Sequence, residues 1–268
     1  VNPGGTPEYL ITYSNVGAAA TTGASQLWPG ATSNLNLSGS SAFMDGRLAI
    51  WDGGQVRGTH VELAGRVLPG DASALSDHGT HVAGTMIATG INPTARGMAF
   101  AAPNITSYDF NNDNSEMAAA AGNFLISNHS YGSISGWRNN NGVWEFWGDW
   151  DAREDFKFGF YSSGAAFWDS LAFLAPNYLI VKSAGNNRNS NGPAVGTNYR
   201  RFDQNGQMVD VGPYVDTLSR NNGYDILPTT SNAKNIITVG AVNILSNGYQ
   251  GPSSVVMSSF SSWGPTDD

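Results

Sequence analysis

Short apolar runs alternate along the chain with longer polar, glycine-rich stretches, and the runs differ in period. Leu48-Ala49-Ile50-Trp51 has no helical gap and is followed by Asp52-Gly53-Gly54, which predicts a buried strand closed by a flexible turn. Tyr178-Leu179-Ile180-Val181 has the same character and enters Lys182-Ser183-Ala184-Gly185-Asn186-Asn187. From His78 onward the apolar positions Val82, Ala83, Met86 and Ile87 follow helical spacing, with Gly90 and Pro93 placed to stop the helix. A further strand is predicted through Ile105-Thr106-Ser107-Tyr108-Asp109, and a helix from about Ser115 through Met117–Ala121 toward Ser130. Strands alternating with helices predict an α/β fold: a mainly parallel, twisted sheet with helices on both faces, hence three layers. Residues 1 to 46 carry little periodic signal beyond Tyr9-Leu10-Ile11-Thr12-Tyr13 and read as an arm packed over the core. Neither a repeat nor a linker divides residues 1–268, so a single domain is expected.

Composition narrows the classes. A length of 268 residues allows a large core, and 40% apolar residues argue against disorder. With 33 glycines, 12 prolines and only 13% charged residues, loops are many and the surface takes its polarity from Ser, Thr and Asn. A net charge of -8 argues against a nucleic-acid partner, which requires clustered Lys and Arg. The absence of cysteine excludes disulfides, zinc-thiolate sites and a cysteine nucleophile together. No stretch approaches the length of a membrane span, and the chain starts at Val1 without a basic-then-apolar leader, which fits a processed, exported protein.

Three polar side chains are delivered at element ends: Asp52 after one strand, His78 in the first turn of a helix, and Asn186 after another strand. In an open α/β sheet, chemistry gathers at the carboxyl ends of the strands, so the three can converge on one cleft. The chemistry they suggest is acyl transfer. A carboxylate holds a histidine in the required tautomer, the histidine takes a proton from a nucleophile, and an amide stabilises the developing oxyanion.

At these residues the chain resembles the subtilisin-like serine proteases. Asp77-His78-Gly79-Thr80-His81-Val82-Ala83-Gly84-Thr85 contains that family's His-Gly-Thr-His-Val-Ala-Gly-Thr pattern, and Ala184-Gly185-Asn186 matches its oxyanion segment. Asp52 falls where the family has its Asp-Ser/Thr-Gly aspartate. Asn128-His129-Ser130-Tyr131-Gly132 is similar to the family's substrate-pairing segment, and Asn235–Val242 and Ser259–Pro265 resemble two later ones, in the family's order. The resemblance runs from about Arg47 to Asp268. It implies a secreted endopeptidase in which His78 is the general base, Asp52 orients it and Asn186 donates to the oxyanion. Ser130, Tyr131 and Gly132 would pair with extended substrate, Gly132 leaving room for a side chain in the specificity pocket, and Ala184 and Gly185 would also bind substrate.

Several departures qualify that resemblance. Gly53 stands where a Ser or Thr is usual, and Asp77 stands where a Gly is usual; Asp77 is read as a helix cap. The family's Gly-Thr-Ser-Met-Ala nucleophile segment does not occur in these residues. Ser33 precedes every catalytic segment, and Ser253-Ser254 sits in a Gly-Pro turn, so neither replaces it. The expectation is therefore an active protease whose serine lies on a missing or separate segment, with Asp267-Asp268 read as a cut; the alternative is a non-catalytic peptide-binding protein on the same scaffold. Residues 133–170, rich in Trp and Phe, read as an insertion that either packs as an aromatic subdomain or walls the substrate cleft.

The expected partner is a peptide or protein substrate, together with any second chain bearing the serine. No cofactor is required by the resemblance, which allows a structural calcium; yet Gly90–Gly97 is shorter and poorer in Asn than the family's calcium loop, and no metal ligands are assigned. His60 near Glu62 supplies two ligands, too few for a site. His81 is read as a packed helix residue and His129 as a satisfied core side chain. Asn111-Asn112-Asp113-Asn114 reads equally as one border of the substrate channel and as a plain turn.

Overall fold

The computed structural model describes residues 15–267, so the Tyr9–Tyr13 run lies outside the described residues. Four helices and ten strands are described: α1 (Asn15–Thr22), β1 (Leu48–Asp52), β2 (Val67–Pro69), α2 (Asp77–Ile87), β3 (Ile105–Asp109), α3 (Asp113–Ala120), β4 (Ile126–His129), β5 (Trp137–Asn140), β6 (Val143–Phe146), α4 (Ser163–Leu174), β7 (Leu179–Ser183), β8 (Asn198–Phe202), β9 (Met208–Pro213) and β10 (Ile237–Val239). Six of the strands form one sheet in the order β10-β7-β4-β1-β3-β2, and every pairing in it is parallel. This is the predicted α/β arrangement.

The continuous apolar run of β1 is explained by burial on both faces. Leu48 and Ile50 pack beneath Ala83 and Ile87 of α2, whereas Ala49 and Trp51 pack against Met117 of α3 and Ala165, Trp168 and Leu171 of α4. Complete burial of Ile50 alone contributes about 1.5–3 kcal/mol. The chain leaves β1, returns at β3 on one side of it and crosses to β4 on the other, so the order reverses around β1. A crevice forms at such a reversal, outside the carboxyl ends of the strands. Asp52 ends β1 there.

Helix α2 is intrinsically weak, with two glycines and four β-branched residues in eleven, so its ends and its packing must hold it. The Ser76 hydroxyl accepts the Gly79 N–H at the start. Asp77 is the first helical residue and not the cap, contrary to the sequence expectation, because the smaller Ser76 hydroxyl already stands at that position. At the other end the carbonyls of Thr85 and Met86 accept from the N–H groups of Met98 and Ala99, and that of Ile87 accepts from Arg66. The loop that supplies these donors is itself gathered by Glu62. Its carboxylate accepts the N–H groups of Gly90, Ile91 and Asn92 and the Thr89 hydroxyl. Burial alone would raise the Glu62 pKa, but these four donors outweigh it and hold the carboxyl below its ordinary value.

This arrangement bears on metal binding. Residues 90–92 direct their N–H groups at the Glu62 carboxylate, which occupies the centre of their turn. Among the described residues no group of three His, Asp or Glu side chains is placed to hold a metal, and His60 Nδ1 instead accepts the Glu62 N–H. Glu62→Gln is expected to lower the unfolding free energy by about 1–3 kcal/mol, because buried N–H groups then face an amide with one acceptor oxygen. Thermal denaturation checks this. The Glu62 contribution is present above pH 4.5 and lost as pH falls through its lowered value, so the gap between wild type and variant should narrow in acid.

The aromatic stretch is divided between two cores. Trp137, Trp144 and Phe146 belong to a second, four-stranded sheet of order β5-β6-β8-β9, where Trp137 packs edge-on against Phe146, Tyr199 and Tyr214. Phe167 and Trp168 instead lie on α4, and Trp168 is buried in the main core with Nε1 donating to Asn114. The second sheet draws half of its strands from residues 198–213, well beyond 133–170. Residues 15–46 lie across the end of α2: Asn15 donates to the Ala95 carbonyl and Trp28 Nε1 to that of Met98. No described helix is long and apolar enough to cross a membrane.

Candidate active site

Asp52 and His78 meet at the crevice. His78 Nδ1 lies 2.8 Å from Asp52 Oδ1 and 2.9 Å from Oδ2. The Asp52 side chain is 3% exposed and that of His78 is 63% exposed, so the carboxylate is buried behind a ring whose outer edge is open. Gly79 allows the approach, since a Cβ there would stand 3.1 Å from Asp52 Cβ and 3.2 Å from the Gly54 carbonyl. The hydrogen bond to Asp52 raises the His78 pKa above its usual value; burial opposes this, and the Asp52 charge adds to it. Asp77 does not enter; it reaches outward to Arg57 at 4.0 Å.

Gly53 departs from the pattern without opening a gap. Its φ is not in the left-handed region, so its conformational freedom is unused, and a Cβ there would meet only ordinary contacts. The strained glycine is Gly54, at φ +148°, where a Cβ would fall 2.3 Å from the Ala74 carbonyl. The Gly53 N–H donates to Asp52 Oδ1 at 2.8 Å, and Ser76 Oγ approaches the same oxygen at 3.4 Å. Ser76 thus caps the histidine helix and brings a hydroxyl to the buried carboxylate. Sequence reasoning passed over it, although a serine directly before Asp-His at a helix start is a recognisable cap signal.

A cavity of about 450 Å³ opens beside His78, lined also by Ser130, Tyr131, Gly132, Gly185 and Asn186. Six of the eight residues singled out in the sequence therefore share one space; Asp52 stands behind His78, and Ala184 is buried below. The Asn186 side chain is exposed and has no partner among the described residues, leaving its amide available to the cavity. Its neighbour Asn187 is anchored, donating to the Ser135 carbonyl at 3.1 Å. Gly185 turns the chain at φ +104°, with Ser262 Oγ and Pro228 Cδ within 3.2 Å of a Cβ placed there. A larger apolar cleft of about 840 Å³, lined by Phe43, Phe124 and Leu174, holds none of these residues.

The other histidines separate cleanly. His129 is fully buried, accepts or donates to Ser127 Oγ at 2.7 Å and to Tyr131 Oη at 2.9 Å, and stacks on Trp51. Burial, with the Lys182 charge adding to it, pushes its pKa well down. His81 is exposed, contrary to the packed position expected, because it lies on the outward side of α2 opposite Ala83 and Ile87. The Asn111–Asn114 segment turns into α3, where Asp113 accepts from the Tyr131 hydroxyl and Asn114 from Trp168.

The subtilase family model matches residues 55–268. The chain belongs to the subtilase family. The match starts just after Asp52, whose place in this subtilase rests on its contact with His78. Among solved structures, the Clostridium perfringens CspB protease is similar over 96% of this chain and 77% of its own, with a TM-score of 0.51 and 14% identity. A cold-adapted subtilisin-like serine proteinase is similar over 86% of this chain, with a TM-score of 0.45 and 19% identity; the chain spans 62% of that protein's length. A comparison with curated proteins finds no match.

Proposed function

We propose that this subtilase is a secreted serine endopeptidase whose Asp52–His78 pair activates a serine supplied from outside these 268 residues. The observation that carries the reading is the contact of a buried carboxylate with Nδ1 of an exposed imidazole, which leaves Nε2 to face the cavity. In that arrangement the carboxylate selects the tautomer in which Nδ1 bears the proton, and Nε2 takes the serine proton as the hydroxyl attacks the peptide carbonyl. Asn186 is the side-chain donor to the resulting oxyanion, and extended substrate lies along Ser130–Gly132.

The sheet supports a docking place for the serine-bearing segment. On the face that carries α2, Ile237 and Val239 of β10 are 46% and 47% exposed and Leu179 of β7 is also open. On the opposite face Ile180 and Lys182 of β7 are buried. An apolar half-face beside the histidine helix suits a further helix, and it abuts the site, since the Val239 carbonyl accepts the Ala184 N–H. An internally quenched peptide, incubated with the complete protein, tests the reading. Cleavage blocked by a serine-directed inhibitor supports it; peptide binding without cleavage would establish the non-catalytic alternative.

A further inference from the structure

Lys182 is unusual on physical grounds. It is a lysine inside the main sheet, 1% exposed, and no carboxylate among the described residues forms an ion pair with it. Burying an ammonium with no carboxylate in direct contact is costly, so the position calls for a reason. Its Nζ donates to the Tyr131 carbonyl and reaches Ser183 Oγ at 3.2 Å and the Ser183 carbonyl at 3.4 Å. The last two are long for charge-assisted bonds, which run at about 2.7–2.9 Å. Two of the three acceptors of this ammonium are therefore weakly bound and replaceable by a stronger one.

The ammonium borders the cavity. Lys182 is among its lining residues, and a Cβ on Gly132 would lie 3.7 Å from Nζ, so no side chain at Gly132 stands between the ammonium and the cavity. Arg138 lines the same cavity, as do the hydroxyl-bearing Ser133 and Ser190, and no Asp or Glu does. An acid-free pocket with two cations in a chain of net charge -8 is a local inversion of sign.

We propose that Lys182 is the cationic floor of the subsite for the substrate residue on the amino side of the scissile bond, and that this subtilase cleaves preferentially after glutamate. The inference rests on the protease reading above. A glutamate carboxylate entering past Gly132 gives Nζ that stronger acceptor, whereas a leucine there leaves a buried charge without its partner. Burial lowers the Lys182 pKa to about 8, with Asp113 opposing. The groups around it are His129, held neutral, Tyr131, whose phenol is raised, Asp113 at the start of α3, and His78 and Arg138 in the cavity. The preference should accordingly fade as pH rises through about 8.

The test uses the complete protein and a set of chromogenic peptides that differ only in carrying Glu, Gln, Leu or Lys before the scissile bond. Expected at pH 7 is a kcat/KM for Glu about tenfold or more above that for Gln or Leu, with Lys the poorest. Lys182→Met should abolish the Glu advantage and favour Leu. The proposal is overturned if the native protein cleaves after Leu as well as after Glu, or if Lys182→Met lowers all four alike, which is what a purely structural lysine would do. If none of the peptides is cleaved, the protease reading fails by itself. The subsite is then judged by tryptophan-fluorescence titration of the complete protein with the same peptides ending in free Glu or Leu, and equal affinities would overturn it.

Discussion

Replacing His78 by alanine should lower kcat for peptide hydrolysis by the complete protein about 10⁶-fold, with little change in KM and with the fold retained, its melting temperature lowered only by the loss of the contact with Asp52. The size follows from the role: without the imidazole no group takes the serine proton, and only substrate binding and the oxyanion donors remain. The fold should survive because the His78 side chain is 63% exposed and its one strong contact is to Asp52. The cap at Ser76, the buried Ala83 and Ile87, and the paired carbonyls at the end of α2 do not involve the ring. Steady-state kinetics with a quenched peptide, alongside circular dichroism, checks both parts. Turnover within tenfold of wild type would remove His78 from the chemistry.

Asp52→Asn should lower kcat about 10⁴-fold while preserving the geometry. An amide is nearly isosteric with the carboxylate, but it can present an N–H to Nδ1 and so select the tautomer that leaves no lone pair on Nε2. The change also moves the pH profile. Because the Asp52 hydrogen bond raises the His78 pKa, and a general base works only when neutral, wild-type kcat/KM should rise with pH through an inflection above 6.5. In the Asn variant that inflection should fall toward or below 6.5. The same linkage sets the sign for stability: the pair stabilises the fold fully below pH 6.5 and loses its contribution as pH rises through the raised value. A profile that does not move on substitution would mean that the 2.8 Å contact does not govern the base.

What the sequence revealed was what short-range pattern encodes. The gapless run before Asp52 has to be a strand buried on both faces, and the helical spacing after His78 has to place that residue in a first turn; both follow from neighbours only a few residues away. Their convergence also followed, because parallel strands deliver their carboxyl ends to one edge. Less was visible where distant segments meet. β6 pairs with β8 in parallel, Trp144 opposite Tyr199, and nothing local to either segment signals a partner so far along the chain. The aromatic stretch consequently looked like one unit when its residues serve two cores. Nothing local marks Lys182 as buried, since the groups that meet its ammonium include the Tyr131 carbonyl and Gly132 in the turn after β4. Ser76 and Asp77 compete for one cap position, and only the backbone geometry at Ser76, φ -109° and ψ 122°, decides between them.

If Asp52 and His78 activate a serine outside these 268 residues, fluorophosphonate labelling of the complete protein, followed by peptide mapping, reports on that serine itself. One adduct is expected, on a serine outside residues 1–268, formed readily at pH 8 and lost in His78→Ala. No adduct, an adduct on a serine within these residues, or labelling that persists at the same rate without His78 would contradict it.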